Sequence, residues 1–228
     1  MEWIESFDLF LFDFDGLLVD TEELHFRAYQ QLCQKRGYIL PWDINQFFEI
    51  AHADAVGIRK SLQILFPKLF EDEASWDTLY TEKKKIYEAL LQSGNLSLLP
   101  GVEPLLEKLA QLNKKRCVVT NSTLRQTELV KSQIPVLQTI PRWFTRESYD
   151  RPKPAPDGYL KALSELKSEG DRDIGFEDSM RGYAALKAAG VSTPVLVCPS
   201  FHPQLQLSLD EKKLYVSSLN EMPTLFLG

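Results

Sequence analysis

Cysteine is scarce in this chain of 228 residues. There are three, Cys33, Cys117 and Cys198, odd in number and far apart. That excludes a disulfide framework, and the absence of CxxC or Cys/His spacing excludes a structural zinc site. Buried, inert thiols in a reducing cytoplasm are the expectation. The first residues, MEWIESFDLF, contain acids and no basic stretch, so they do not read as a secretory signal. No apolar run approaches the roughly 18 residues of a membrane span. Excess positive charge is also missing. The formal net charge is −6, which rules out nucleic acid or an anionic membrane surface as a partner drawn by the overall field. An anionic substrate would need a local positive site or a metal ion. Internal repeats and low-complexity segments are absent.

What is present is an ordinary globular composition, 44% hydrophobic and 25% charged. Phe7 to Phe12 (FDLFLF) is nearly continuous in apolar residues, as in a strand buried on both faces. From Glu22 to Arg36 the apolar positions Leu24, Ala28, Leu32 and Cys33 have helical spacing, and Gly37 is a natural stop. Phe47, Phe48 and Ile50 fit another helix, residues 58–66 a further one ended by Pro67, and residues 76–91 a third. Beyond Pro100-Gly101 the pattern alternates. Helices are expected at 102–113, 123–133, 156–168 and 180–189. Strands are expected at 117–120, 140–144, 173–176, 194–198 and near Tyr215. Such alternation implies an α/β fold, a Rossmann-like parallel sheet with helices on both faces. The helical stretch is then an insertion. Residues 1–19 and 94–228 are expected to form the α/β core, and residues 20–93 an all-helical cap domain beside the carboxyl edge of the sheet.

Four short segments fall at expected strand ends, the edge where open α/β sheets bind ligands. They are Asp13-Phe14-Asp15-Gly16, Thr120-Asn121-Ser122, Arg151 to Asp157 (RPKPAPD), and Gly175-Phe176-Glu177-Asp178-Ser179. Residues two apart on extended chain face the same side, so Asp13 and Asp15 would present two repelling carboxylates. A divalent ion resolves the repulsion, and Mg²⁺ favours hard oxygen ligands. Asp178 could complete its site, with Glu177 beside it. A carboxylate can attack phosphorus to form an aspartyl phosphate. Lys153 supplies a point positive charge for phosphate oxygens. Thr120 supplies a hydroxyl, and Asn121 and Ser122 supply backbone N–H groups near a helix start. Gly16 removes side-chain bulk where the chain must turn. Taken singly, each segment has a plainer reading as a solvated turn, a helix cap or a surface lysine. Their order and shared position at strand ends favour the joint reading.

These stretches, DFDGLLVDT, TNS, KPAPDGYLKAL and GFEDSMRGYAALKAAG, resemble the four motifs of the haloacid dehalogenase-like superfamily. They are most similar to its subgroup of β-phosphoglucomutases and small sugar-phosphate phosphatases. The resemblance implies that Asp13 is the nucleophile and a metal ligand. It implies that Asp15 is the general acid and then base, with its backbone carbonyl on the metal. Thr120 and Lys153 would hold the transferring phosphoryl group, and Asp178, supported by Glu177, would bind Mg²⁺. The second aspartate argues against the metal-free dehalogenases of the superfamily.

The helical stretch is less informative. ELHFRAY (residues 23–29) is similar to β-phosphoglucomutase, where the corresponding histidine places the acid/base aspartate; the other reading of His25 is an exposed helix residue. Arg27 reads as a substrate contact or a surface residue. Lys83-Lys84-Lys85 reads as a solvated helix face from which one lysine reaches substrate, with Lys83 the candidate. Residues 50–59 (IAHADAVGIR) depart from the subgroup's substrate-reading loop, and His52 and Asp54 are candidate replacements. The leading expectation is a monomeric, cytoplasmic Mg²⁺-dependent phosphatase acting on a small phosphorylated metabolite. A phosphomutase and a phosphate-binding regulator without turnover are the alternatives.

Overall fold

A computed structural model describes residues 2–53, 56–71, 75–94, 96–200, 202, 204–205 and 214–226. The chain divides into two compact units, Met1–Asp20 with Leu96–Gly228, and Thr21–Asn95.

The first unit opens with a 3-10 turn, Glu2–Ser6, followed by β1 (Leu9–Phe12). The second unit holds α1 (Glu22–Lys35), α2 (Ile44–Ala53), α3 (Gly57–Leu65), α4 (Pro67–Glu71) and α5 (Trp76–Ser93). The first unit then resumes with α6 (Val102–Gln111), β2 (Lys115–Val119), α7 (Leu124–Lys131), β3 (Arg142–Phe144) and α8 (Asp157–Leu166). It continues through β4 (Asp173–Glu177), α9 (Met180–Ala189), β5 (Thr193–Val197), β6 (Leu214–Val216) and α10 (Met222–Leu225).

Among the described residues the sheet has six strands in the order β3-β2-β1-β4-β5-β6, and every pairing is parallel. All four residues of β1 are buried, which explains their unbroken apolar run: this strand is central and covered on both faces. On one face Leu9, Leu11, Cys117 and Val119 pack with Tyr159 and Ala162 of α8 and Ala185 and Leu186 of α9. On the other, Phe12 stacks on Phe176 at 5.0 Å, and Trp3 and Phe7 pack around Phe10 with Phe226. Register sets up the site. Phe12 pairs with Val118 on one side and Phe176 on the other, so three strand ends stop side by side.

The helical unit has its own core, built on Phe26, Tyr29, Leu32, Phe47, Ile58, Leu62 and Leu79. Two expectations need correction here. Pro67 does not merely end a helix; it begins α4, because proline's missing N–H costs nothing in a first turn. Lys83 is not on a solvated face. It is 4% exposed and lies in register with Leu79, Tyr87 and Leu91, the buried stripe of α5. Its Nζ is 2.6 Å from Nδ1 of His25 and lies over the rings of Tyr29 and Tyr87, while the His25 ring stacks on Tyr87 at 3.9 Å. Arg27 is exposed. His52 lies on α2, but its side chain, and Asp54 altogether, fall outside the described residues. No helix among those residues is long and apolar enough to cross a membrane.

Candidate active site

The carboxyl ends of β1, β2 and β4 bring the expected residues of the α/β unit together. Asp13 follows β1, and its N–H donates to the carbonyl of Phe176, extending the sheet by one step. Thr120 follows β2, with its N–H on the carbonyl of Phe144 (3.0 Å). Glu177 ends β4 and Asp178 follows. Carboxylate oxygens of Asp13, Glu177 and Asp178 all lie within 4.8 Å of one another, and all three residues are buried.

Lys153 binds this group together. Its ammonium is 2.5 Å from Asp13 Oδ1 and 2.6 Å from Glu177 Oε1, and donates to the Val119 carbonyl at 2.8 Å. It is 6% exposed, so this lysine is not a surface residue. The peptide bond from Lys153 to Pro154 is cis. Burial opposes charge on Lys153, but the carboxylates of Asp13 and Glu177 outweigh it and hold the ammonium above its ordinary value. Burial, and then Glu177, push the Asp13 carboxyl up to about 7, with Lys153 pulling the other way.

Tyr159, on α8, donates from its hydroxyl to Glu177 Oε1 at 2.5 Å. Burial and the nearby carboxylates keep this phenol far above its usual value, so it stays a donor. The other oxygen, Glu177 Oε2, is buried with no hydrogen-bond partner among the described residues. An orphaned carboxylate oxygen in a dry site is costly. Three carboxylates with one uncompensated oxygen, and only hard oxygen donors, fit a hard divalent cation such as Mg²⁺.

Asp15 follows two residues later, and its charge adds to the upward push on the Asp13 carboxyl. Ser122 Oγ donates to Asp15 Oδ2 at 2.6 Å, with Thr120 Oγ1 at 3.4 Å. β1 ends at Phe12, so Asp13 and Asp15 both lie just beyond it. The chain turns at Gly16, whose φ is +75° and whose N–H donates to the carbonyl of Val19. The Ser122 N–H is taken internally by Thr120 Oγ1 at 2.9 Å. The helix expected here begins at Leu124, with Thr123 as its cap in a reciprocal capping box with Gln126. Asn121 acts as a clamp through its side chain: Oδ1 accepts from the Lys153 N–H at 3.1 Å and lies 3.0 Å from the Tyr149 hydroxyl. That hydroxyl donates to the Thr120 carbonyl at 2.6 Å.

Residues 10–196 match the pattern of the haloacid dehalogenase-like hydrolases, most of the chain. The chain belongs to that family. Among curated relatives, the "phosphorylated carbohydrates phosphatase" of Thermotoga maritima is 28% identical over 187 residues, 79% of this chain and 81% of that one. Protein CbbY of Cereibacter sphaeroides is 27% identical over 195 residues, 84% of each chain. The crystal structure of CbbY from Rhodobacter sphaeroides in complex with phosphate superposes with a TM-score of 0.75 at 24% identity. It covers 95% of this chain and 96% of that one.

Within this hydrolase, motif reading gave no role to Tyr159, although it lies inside KPAPDGYLKAL, and did not find Tyr149 or Gln204. Tyr159 and Tyr149 reach the site from α8 and the loop after β3. Gln204 comes from beyond β5, where nothing in its local sequence distinguishes a glutamine.

Proposed function

We propose that the chain is a Mg²⁺-dependent phosphatase that hydrolyses a small phosphorylated metabolite through an aspartyl phosphate on Asp13. The observation that carries the reading is the buried Lys153–Asp13 pair beside two further carboxylates. In the first step Asp13 attacks phosphorus, the bond to the leaving oxygen breaks, and Asp15 delivers a proton to that oxygen. In the second, water attacks the same phosphorus, Asp15 takes its proton, and the bond to Asp13 breaks to release inorganic phosphate. Lys153 and the Thr120 hydroxyl are the groups we assign to the transferring oxygens. Asp13, Asp178 and the orphaned oxygen of Glu177, with the Asp15 carbonyl, are those we assign to the cation. When bound, that ion would neutralise phosphoryl charge and favour the ionised form of Asp13.

In the helical unit, the Lys83–His25 pair is our candidate for substrate choice. The name of the Thermotoga maritima relative supports a phosphorylated carbohydrate as the class of substrate. We take the enzyme to act as a monomer, and three buried thiols outside any disulfide fit a cytoplasmic location.

The test is a panel of phosphate esters with Mg²⁺, run beside Asp13→Asn. Phosphate release should require the metal and fall by at least about 10³ in the variant. Release that persists in EDTA and in Asp13→Asn would refute the reading. Conversion of a sugar 1-phosphate to the 6-phosphate would instead establish the mutase alternative. No turnover across the panel, with tight metal binding retained, would favour the regulator.

A further inference from the structure

We infer that Gln204, far from any motif, is a positioning residue that fixes the metal-binding loop. Its primary amide makes two bonds to one short segment. Nε2 donates to the Asp178 carbonyl at 2.5 Å, and Oε1 accepts from the Met180 N–H at 2.8 Å. A residue on a neighbouring strand satisfies its partner in the same way, taking a carbonyl on one side and an N–H two residues on. The Gln204 side chain therefore stands in for a strand where β4 has stopped and α9 has not begun.

The segment it holds is the one that matters to the cation. It runs from Asp178 to Met180 directly after Glu177, and within it Ser179 caps α9, accepting from the Gly182 N–H at 3.2 Å. The Met180 N–H is one of the first-turn donors that a helix cannot satisfy itself. Gln204 is 2% exposed, and its backbone N–H donates to His202 Nδ1 at 3.3 Å, which fixes the backbone that carries the amide. Only a side chain of this length with both a donor and an acceptor makes the two bonds. Leucine fills similar space and makes neither. Without the amide, the Asp178 carbonyl and the part-buried Met180 N–H lose these bonds, and the Asp178 backbone is held less firmly. Groups that orient a metal ligand in this way typically tune affinity 10- to 100-fold.

The inference rests on the metal site proposed above. Its test is Mn²⁺ binding to the apoprotein, read from the free-ion electron paramagnetic resonance signal, without substrate. Gln204→Leu should weaken binding about tenfold or more. Leu106→Ala, in the buried face of α6, should lower the melting temperature yet leave Mn²⁺ affinity unchanged. In turnover, Gln204→Leu should raise the Mg²⁺ concentration for half-maximal rate more than it lowers kcat at saturating metal. Wild-type affinity in Gln204→Leu would overturn the inference alone. So would equal weakening in Leu106→Ala. Absence from the wild type of any Mn²⁺ site that Asp178→Asn abolishes would overturn the metal reading and this inference with it.

Discussion

The carboxylate of Glu177 occupies the space that a side chain at position 182 would need. A Cβ built on Gly182 overlaps that carboxylate, so the first turn of α9 must be bare where it passes the site. Gly182→Ala should therefore displace Glu177, because the helix backbone has little freedom to retreat. The expected result is a loss of about 1–3 kcal/mol in urea unfolding, as for overpacked cores. Mn²⁺ binding should weaken in parallel. Unchanged stability together with unchanged binding would show that Glu177 has another place to go.

Ser122→Ala removes the shorter of two hydroxyl bonds to the Asp15 carboxylate. A displaced general acid matters most for esters whose leaving oxygen needs a proton. The rate on an alkyl phosphate should fall about tenfold, whereas p-nitrophenyl phosphate, which leaves without help, should change much less. Equal losses on both substrates would place the Ser122 hydroxyl in phosphate contact instead.

A pH-dependent contribution is expected in the helical unit. Glu82 accepts from Lys35 at 2.5 Å and from the Arg36 guanidinium at 2.6 Å, and these donors hold its carboxyl below the usual range. A value lowered by folding stabilises the protein above the unfolded-state value of about 4.3 and ceases to do so as acid protonates the folded carboxylate. Glu82→Gln should cost about 0.5–1 kcal/mol at neutral pH, given how exposed Lys35 is. The difference from wild type should close as the pH falls below 4, and added salt should shrink it. A gap that persisted in acid would mean that Glu82 acts through packing.

The thiols should be silent in the folded protein. Burial pushes Cys33 up to about 11 and raises Cys117 further, so neither offers thiolate at neutral pH. Alkylation by iodoacetamide should be slow in buffer and complete in denaturant. Rapid labelling of Cys117 would indicate that β2 opens in the native state.

The sheet was legible because parallel strands buried on both faces leave apolar runs that few other structures produce, as β1 and β5 do. The start of α9 could be read directly, since Ser179 is a cap and Met180 opens an apolar period. Lys83 was misread for a physical reason. A run of three lysines signals solvent, yet Leu79, Lys83, Tyr87 and Leu91 recur every fourth residue and share one buried stripe. Gln204 left no local trace, as its partners lie 26 and 24 residues away and its role exists only once the chain has folded. Tyr159 sits inside KPAPDGYLKAL, yet its bond to Glu177 spans 18 residues and shows only in the fold.

The Asn121 clamp has a practical consequence. By gripping the Lys153 N–H with the same oxygen that meets Tyr149, it welds the hydroxyl-bearing loop and the lysine-bearing loop into one rigid part. A compound that wedged one loop aside would drag the other with it. Displacing either loop should therefore disturb the Thr120 hydroxyl and the Lys153 ammonium together.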